Sequence, residues 1–191
     1  MLLEMDVTLT SGNASVLFGA RDASNVFMWS VNTLDNEKEP LIRRHIYDGG
    51  RLQSSDTPIG KFFTKSDLLN KEHHLAIEAK DGVVKTYIDK VLVDTYTDTD
   101  SKLSNGYIGF RAFRGNNTNE TAMFDNIVLT EYEQKGDKEE AKVVLKEDFE
   151  KPQSTFEEGE IVTVGGNRKL NMVSTSGDYR VLQASMSRVP M

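Results

Sequence analysis

The sequence predicts an all-β fold, two antiparallel sheets stacked as a sandwich with a short β segment appended. Three observations predict it. Alternating, β-branched and aromatic stretches recur about every ten positions and are bounded by Gly, Asn and Asp, the pattern of an antiparallel sandwich. Asp81-Gly82 stands between two such stretches, and Asp-Gly accepts the positive φ angles of a two-residue primed turn. Helix signals are nearly absent, limited to Ser66-Asp67-Leu68-Leu69-Asn70, one turn with Ser66 as its expected cap.

Taken in order, the predicted strands are Leu2 to Thr10, Ala14 to Arg21, Val26 to Asn32, Leu41 to Tyr47 and Arg51 to Ser54. His74 to Lys80, Val83 to Asp89 and Val91 to Tyr96 then form a three-stranded meander through turns at Asp81-Gly82 and Asp89-Lys90. In it Leu75, Ile77 and Ala79 share one face, as do Val84, Thr86 and Ile88, and these faces are expected in the core. Tyr107 to Phe113 and Thr121 to Glu131 complete a first domain, residues 1–132. Residues 133–142, dense in mixed charge and without apolar period, are expected as a linker. Val143 to Phe149, Glu160 to Val164, Lys169 to Val173 and Tyr179 to Gln183 follow in residues 143–191, too small a piece for a sturdy sandwich of its own. Such a piece either opens a following β-domain or docks on the first.

Composition narrows the function. The 191 residues carry 23 Lys+Arg against 30 Asp+Glu, a net charge of −7, and neither the part up to Tyr132 nor the remainder is basic. That balance argues against nucleic acid, whose binding draws on Lys and Arg neutralising phosphates. No apolar run approaches the roughly 20 residues of a membrane-spanning helix, so membrane insertion is not expected. The chain has no Cys, which removes disulfides, thiolate catalysis and Cys-ligated zinc. With 38% hydrophobic residues, nine Phe, six Tyr and one Trp, it has the material for a core. Neither a basic apolar leader nor a closing signal is visible, and the chain reads as a fragment of a longer polypeptide.

Catalytic motifs are not found. There is no Gly-x-Ser-x-Gly elbow, no phosphate-cradling Gly-rich loop, no His-Glu-x-x-His and no Glu-x-Asp-x-x-Glu on one strand. His73 and His74 are neighbours on a strand and point to opposite faces, so they cannot share a metal. His45 is different, because Arg43, His45 and Tyr47 line one strand face that is polar for a core. Trp29 lies with Phe27 and Val31 on one face of its strand. Core anchor and platform for a sugar ring are both open readings of its indole. Arg111 and Arg114 flank Phe113, and a guanidinium can fork two hydrogen bonds to vicinal hydroxyls or to a carboxylate. Asp22 with Asn25, and Asp98 with Asp100, can each offer oxygen to Ca²⁺, or close their own turns. Asp125 is expected to fix a strand end. Asn13-Ala-Ser, Asn116-Asn-Thr and Asn119-Glu-Thr match the glycosylation sequon.

One ordered series of segments carries a family resemblance. It comprises Val16-Leu-Phe-Gly-Ala-Arg-Asp-Ala-Ser-Asn-Val-Phe-Met-Trp29, Leu41-Ile-Arg-Arg-His45, His74-Leu-Ala-Ile, Thr86-Tyr-Ile-Asp-Lys-Val-Leu-Val-Asp-Thr95, Gly106-Tyr-Ile-Gly-Phe-Arg111 and Glu120-Thr-Ala-Met-Phe-Asp-Asn-Ile-Val128. Over about residues 2 to 132 it resembles a concanavalin A-like, or laminin G-like, jelly roll. More narrowly, it is similar to the rhamnose-binding type of carbohydrate-binding module carried by bacterial α-L-rhamnosidases of glycoside hydrolase family 78. Leu145-Lys-Glu-Asp-Phe-Glu150 to Gly166-Asn-Arg-Lys-Leu170 is similar to the opening of the next β-domain in such enzymes.

The resemblance implies a calcium-assisted sugar site at the Asp22 to Asn25 turn, with Trp29, Arg43 and His45 as neighbours; Arg111 joins them from its own chemistry. Two positions depart from the family pattern: Ser24 stands where an acidic residue is expected, and Lys90 where Gly is usual. The implied whole is an exported bacterial glycoside hydrolase, in the periplasm or at the cell surface. Its catalytic acids would lie in a helical barrel downstream, and this chain would hold a saccharide such as an L-rhamnose-containing glycan beside that catalytic domain. A structural spacer without ligand is the alternative.

Overall fold

The described residues of this computed structural model are 1–22, 24–34, 36–99, 106–112, 114–115, 118–135, 138–151, 156, 160–173 and 180–183. The strands are β1 (Leu2–Ser11), β2 (Asn13–Asp22), β3 (Asn25–Asn32), β4 (Leu41–Asp48) and β5 (Arg51–Pro58), then α1 (Lys65–Leu68). They continue as β6 (Glu72–Lys80), β7 (Val83–Ile88), β8 (Val91–Thr97), β9 (Tyr107–Ala112), β10 (Arg114–Gly115), β11 (Thr118–Asn119) and β12 (Thr121–Lys135). The last four are β13 (Lys138–Glu147), β14 (Glu160–Val164), β15 (Asn167–Val173) and β16 (Arg180–Gln183). Two antiparallel sheets stack as a jelly-roll-like sandwich. One runs β14-β15-β12-β1-β6-β7-β8 with β13 also on β12; the other runs β16-β9-β2-β3-β4-β5. No helix among the described residues is long and apolar enough to cross a membrane.

Side-chain alternation builds the interlayer. On β1 Leu3, Met5, Val7 and Leu9 are buried, while the residues between them are half-buried on the outer side. The meander behaves as its period requires, with Leu75, Ile77, Ala79, Val84, Thr86 and Ile88 all buried. Asp81 and Gly82 have φ of 51° and 73°, and Asp89 and Lys90 repeat the left-handed pair at 49° and 68°. Both turns therefore match the right-handed twist of their strands. The single helical turn is capped two residues earlier than expected. Thr64, not Ser66, is its cap: the Thr64 hydroxyl accepts from the Asp67 amide, and the Asp67 carboxylate accepts from the Thr64 amide.

β12 organises the larger sheet. Its partners on β1 slip by one residue between Glu4↔Val128 and Asp6↔Asp125, a bulge with Asn126 at φ 49°. The bulge resets the alternation, so that Phe124 and Ile127, three apart, both point inward. Asp125 thus fixes a bulge rather than a strand end, its carboxylate accepting from the Asn126 amide at 2.7 Å. The same bulge divides the other edge of β12, where Thr121 to Phe124 pair with β15 and Ile127 to Lys135 with β13.

Residues 133–142, expected as a linker, lie largely in β12 and β13, paired from Glu133↔Glu140 to Lys135↔Lys138; residues 136–137 lie outside the described set. The charges that argued for unpaired chain are matched across it: Lys135 Nζ lies 2.5 Å from Glu140, and Lys80 Nζ donates to Glu139 at 2.8 Å. The segment after 143, expected either to open a following β-domain or to dock on the first, shares the core of the first. Leu145, Phe149, Phe156, Leu170 and Met172 are buried with β1, β2 and β9 side chains, and the Phe156 ring centroid is 5.3 Å from that of Phe110. A piece this small gains burial only by adding to existing sheets. Of the last predicted strand, Tyr179 lies outside the described residues, as do Phe113, Asp100, Asn116 and Asn117.

Two substitutions test this packing. Phe156→Ala is expected to cost about 3–5 kcal/mol of stability in chemical denaturation, the range for emptying a buried aromatic site. A loss within about 0.5 kcal/mol, typical of surface sites, would show that the tail is not core. At Gly106 an added Cβ would meet Ala20 N and the Gly19 carbonyl carbon at 2.5 Å. Backbone cannot give way there as a side chain can, so Gly106→Ala is expected to destabilise by about 1–3 kcal/mol.

Candidate functional site

The outer face of the six-stranded sheet follows from register. Where Ala14, Val16 and Phe18 of β2 point into the interlayer, Ser15 and Leu17 point away, and pairing extends each position across the sheet. One row reads Arg111, Ser15, Ser30, Arg43, Asp56 from β9 to β5. The next reads Gly109, Leu17, Met28, His45, Ser54. Beyond it lie Tyr107 and Ala20, then Val26, Tyr47 and Leu52. The face therefore grades from charged to apolar along the strands. Leu17, Ala20, Val26 and Met28 form a small hydrophobic cluster there, with Tyr47 and Tyr107 packed against it.

The charged row has long arms at its ends and small residues at its centre. Ser15 and Ser30, both buried, hydrogen-bond each other at 2.8 Å. On one side Arg43 forks onto Asp56, Nε to Oδ1 at 2.9 Å and Nη2 to Oδ2 at 2.8 Å, and Nη2 also donates to Glu37 Oε1 at 2.9 Å. A fork between planar groups is the strong form of this contact. It raises the Arg43 pKa above its ordinary value, and the Arg43 hydrogen bond holds the Asp56 carboxyl below its own. On the other side the Arg111 Nη1 donates weakly to Met28 Sδ at 3.5 Å, so this side chain crosses β2 to reach β3.

His45, half-buried between them, has its pKa lowered, first by burial and then by the charges of Arg111 and Arg43. It is thus neutral at pH 7. Its Nδ1 is buried and has no hydrogen-bond partner among the described residues. The remaining histidines sit elsewhere. His73 Nδ1 pairs with Asp89 at 2.7 Å, while His74 faces Asp6 and Glu4 on the outer side of the larger sheet.

The structure gathers Arg43, His45 and Arg111 on one face and leaves the other expected site residues off it. Trp29, read as anchor or platform, is the anchor. It is 2% exposed, its ring 5.0 Å from Phe18 and 5.6 Å from Tyr96, because its strand parity places it between the sheets with Phe27 and Val31. Asp22 and Asn25, at the end of β2 and the start of β3, close their own turn. The Asn25 amide nitrogen donates to both Asp22 oxygens at 2.9 and 3.1 Å, the Ser24 amide donates to Asp22 Oδ1 at 2.7 Å, and Asn25 Oδ1 accepts from the Gly49 amide at 3.0 Å. These bonds, the Asn25 side chain first, lower the Asp22 pKa.

Ca²⁺ takes six to eight oxygens, and this turn presents one carboxylate whose oxygens already receive donors. Among the described residues no three His, Asp or Glu come together as ligands. Among the described residues the Asp22–Asn25 turn falls short of that oxygen set. Asp98 is buried, and its expected partner Asp100 lies outside the described residues. Asn13 of the first sequon is buried and donates to Glu120 at 2.9 Å, which leaves no room for a glycan. The side chains of Arg114 and Asn119 lie outside the described set.

Sequence reasoning missed Glu37 and Asp56, which hold Arg43, and the apolar half of the face. Asp56 lay beyond the expected end of its strand, and nothing local joins it to Arg43. Parity in the sequence already sets Met28 and Ser30 on the face opposite Trp29.

No family model matches the chain, and no curated protein matches it. Among solved structures the chain is similar to the carbohydrate-binding module CBM66 from Bacillus subtilis, at 24% identity over 66% of this chain and 71% of that one, with a TM-score of 0.43.

The electrostatics are testable by following imidazole protons with pH. His45 is expected to titrate below the ordinary 6.5 and His74 above it. Burial, the largest single influence on His74, lowers its pKa, but the hydrogen bonds and charges of Asp6 and Glu4 together outweigh burial. As pH falls below 6.5, the unfolded chain protonates at His45 before the folded one does, so His45 costs stability on the acid side. The His74 contribution has the opposite sense, being full below 6.5 and lost as pH rises through its raised midpoint. His45→Gln should flatten the acid loss in denaturation compared at pH about 7 and about 5; an unchanged slope would contradict the assignment.

Proposed function

We propose that this chain is a non-catalytic saccharide-binding module whose ligand lies on the outer face of the six-stranded sheet, across Arg43, His45 and Arg111. The graded face is the observation that carries this reading. A sugar is two-sided in the same way, with a C–H face that packs on apolar and aromatic surface and an edge of hydroxyls that takes directed hydrogen bonds. Tyr47 and Tyr107, packed on buried Met28, supply the first kind of surface, and Arg43, Asp56 and His45 the second.

Arg43 and Arg111 are balanced by Glu37 and Asp56, and His45 is neutral, which suits a neutral polyol more than a charged ligand. The resemblance of residues 2–132 to rhamnose-binding modules supports L-rhamnose as the sugar. It also supports an exported bacterial α-L-rhamnosidase as the parent, with its catalytic domain as the neighbour this module serves. The reading needs no calcium for the binding step, because the Asp22 oxygens already receive the Asn25 amide.

Titration calorimetry with L-rhamnose, with and without Ca²⁺, tests the proposal. A dissociation constant of roughly millimolar to micromolar is expected, the same in both conditions. His45→Ala and Arg111→Met should each weaken binding about tenfold, equivalent to about 1.4 kcal/mol. Trp29→Phe, a core change, should lower the melting temperature while leaving the affinity of the folded protein unaltered. Absence of heat at millimolar sugar in both conditions would refute binding, and loss of affinity in Trp29→Phe alone would move the site off this face.

A further inference from the structure

One edge of the interlayer gathers polar side chains from both sheets. There β5 of the smaller sheet meets β8 of the larger, and the Thr57 hydroxyl donates to Asp94 Oδ1 at 2.7 Å across the gap. Arg44 Nη1 lies 3.4 Å from the same oxygen. The Arg44 guanidinium carbon is 5.4 Å from the centroid of the Tyr96 ring, and that ring stands edge-on to Trp29 at 5.6 Å. Register ties the group together: Trp29 and Arg44 are partners on β3 and β4, Thr86 and Asp94 partners on β7 and β8. Both layers thus contribute polar side chains to one place.

These contacts do not satisfy the cluster. Trp29 Nε1, Arg44 Nε, Thr86 Oγ1 and Asp94 Oδ2 are each buried without a hydrogen-bond partner among the described residues. An orphaned buried donor or acceptor costs stability, and native interiors rarely tolerate several side by side. Here two are donors only, one is a carboxylate oxygen that only accepts, and one is a hydroxyl that does either. A molecule that both accepts and donates is the complement of that set. The charges within the cluster, Arg44 and Asp94, already oppose each other, so the complement carries no net charge.

We propose that this interlayer cluster is an internal hydration site, holding long-lived water that accepts from Trp29 Nε1 and Arg44 Nε and donates to Asp94 Oδ2. A buried water typically makes about three such bonds. The route in is short. The Arg44 side chain is 13% exposed, and Thr57 and Tyr96 are half-buried, so the cluster reaches the mouth between the two sheet edges. The site also bears on the proposed recognition face without depending on it. Arg44 points inward from the same strand that presents Arg43 and His45 outward, and water joined to Arg44 anchors β4 at that level.

Trp29 is the single tryptophan, so its indole N–H gives one unambiguous proton signal. The expected result is a water cross-relaxation peak at that proton, with the sign of a residence time longer than molecular tumbling. It should persist in Thr86→Val and in Tyr96→Phe, which remove hydroxyl protons that could relay magnetisation. It should be lost in the double variant Arg44→Met/Asp94→Leu, which removes the ionic anchor and leaves no lone charge behind. A wild-type protein with no such peak overturns the proposal, as does a peak that vanishes in Thr86→Val or Tyr96→Phe, or one that survives in the double variant. These outcomes are read without any sugar, so they are independent of whether the outer face binds one.

Discussion

Everything in this protein depends on apolar contact between the two sheets, because that contact decides which side of each strand looks outward. Phe110 of β9 and Phe124 of β12, with ring centroids 4.2 Å apart, meet across it, and both are fully buried. Once Val16, Phe18, Phe27, Trp29 and Val31 are committed to this interlayer, Ser15, Leu17, Met28 and Ser30 have no other direction. The polar and apolar rows of the outer face are the complement of the core, written on the same strands.

The interlayer also explains why the carboxy-terminal part adds to the sandwich. β12 is long enough to offer two successive edges, and its bulge at Asp125 and Asn126 separates them. β15 and β13 take one each, while Phe149 and Phe156 bring aromatic surface into contact with Phe110. On the opposite layer β16 pairs with β9, so that Val181 stands beside Arg111 in register. The tail therefore touches both the core and the rim of the candidate face.

The recognition chemistry rests on charge held in place. Arg43 and Asp56 are cross-strand partners joined by a two-point fork, and Glu37 approaches from the loop between β3 and β4. Lys65 donates to the carbonyls of Leu34 and Glu37, which ties that loop to the helical turn. Ordering these groups before a ligand arrives lowers the entropy lost on binding, the general advantage of a preorganised site.

Local pattern was enough for the strands, the two left-handed turns of the meander, the inward faces of β6 and β7, and the shared face of Arg43, His45 and Tyr47. Each of these is set by neighbours two or three residues away, through pleat geometry and turn stereochemistry. Tertiary structure alone decided the rest. It chose which of the two faces of β3 points inward and so placed Trp29 in the core. It turned the charged stretch 133–142 into paired strand, and brought Glu37 and Asp56 onto Arg43 and Asp94 beneath Arg44. Periodicity says which side chains travel together, but the side that meets the opposite layer, and the partner that a charge finds there, are set by contacts between residues far apart in the chain.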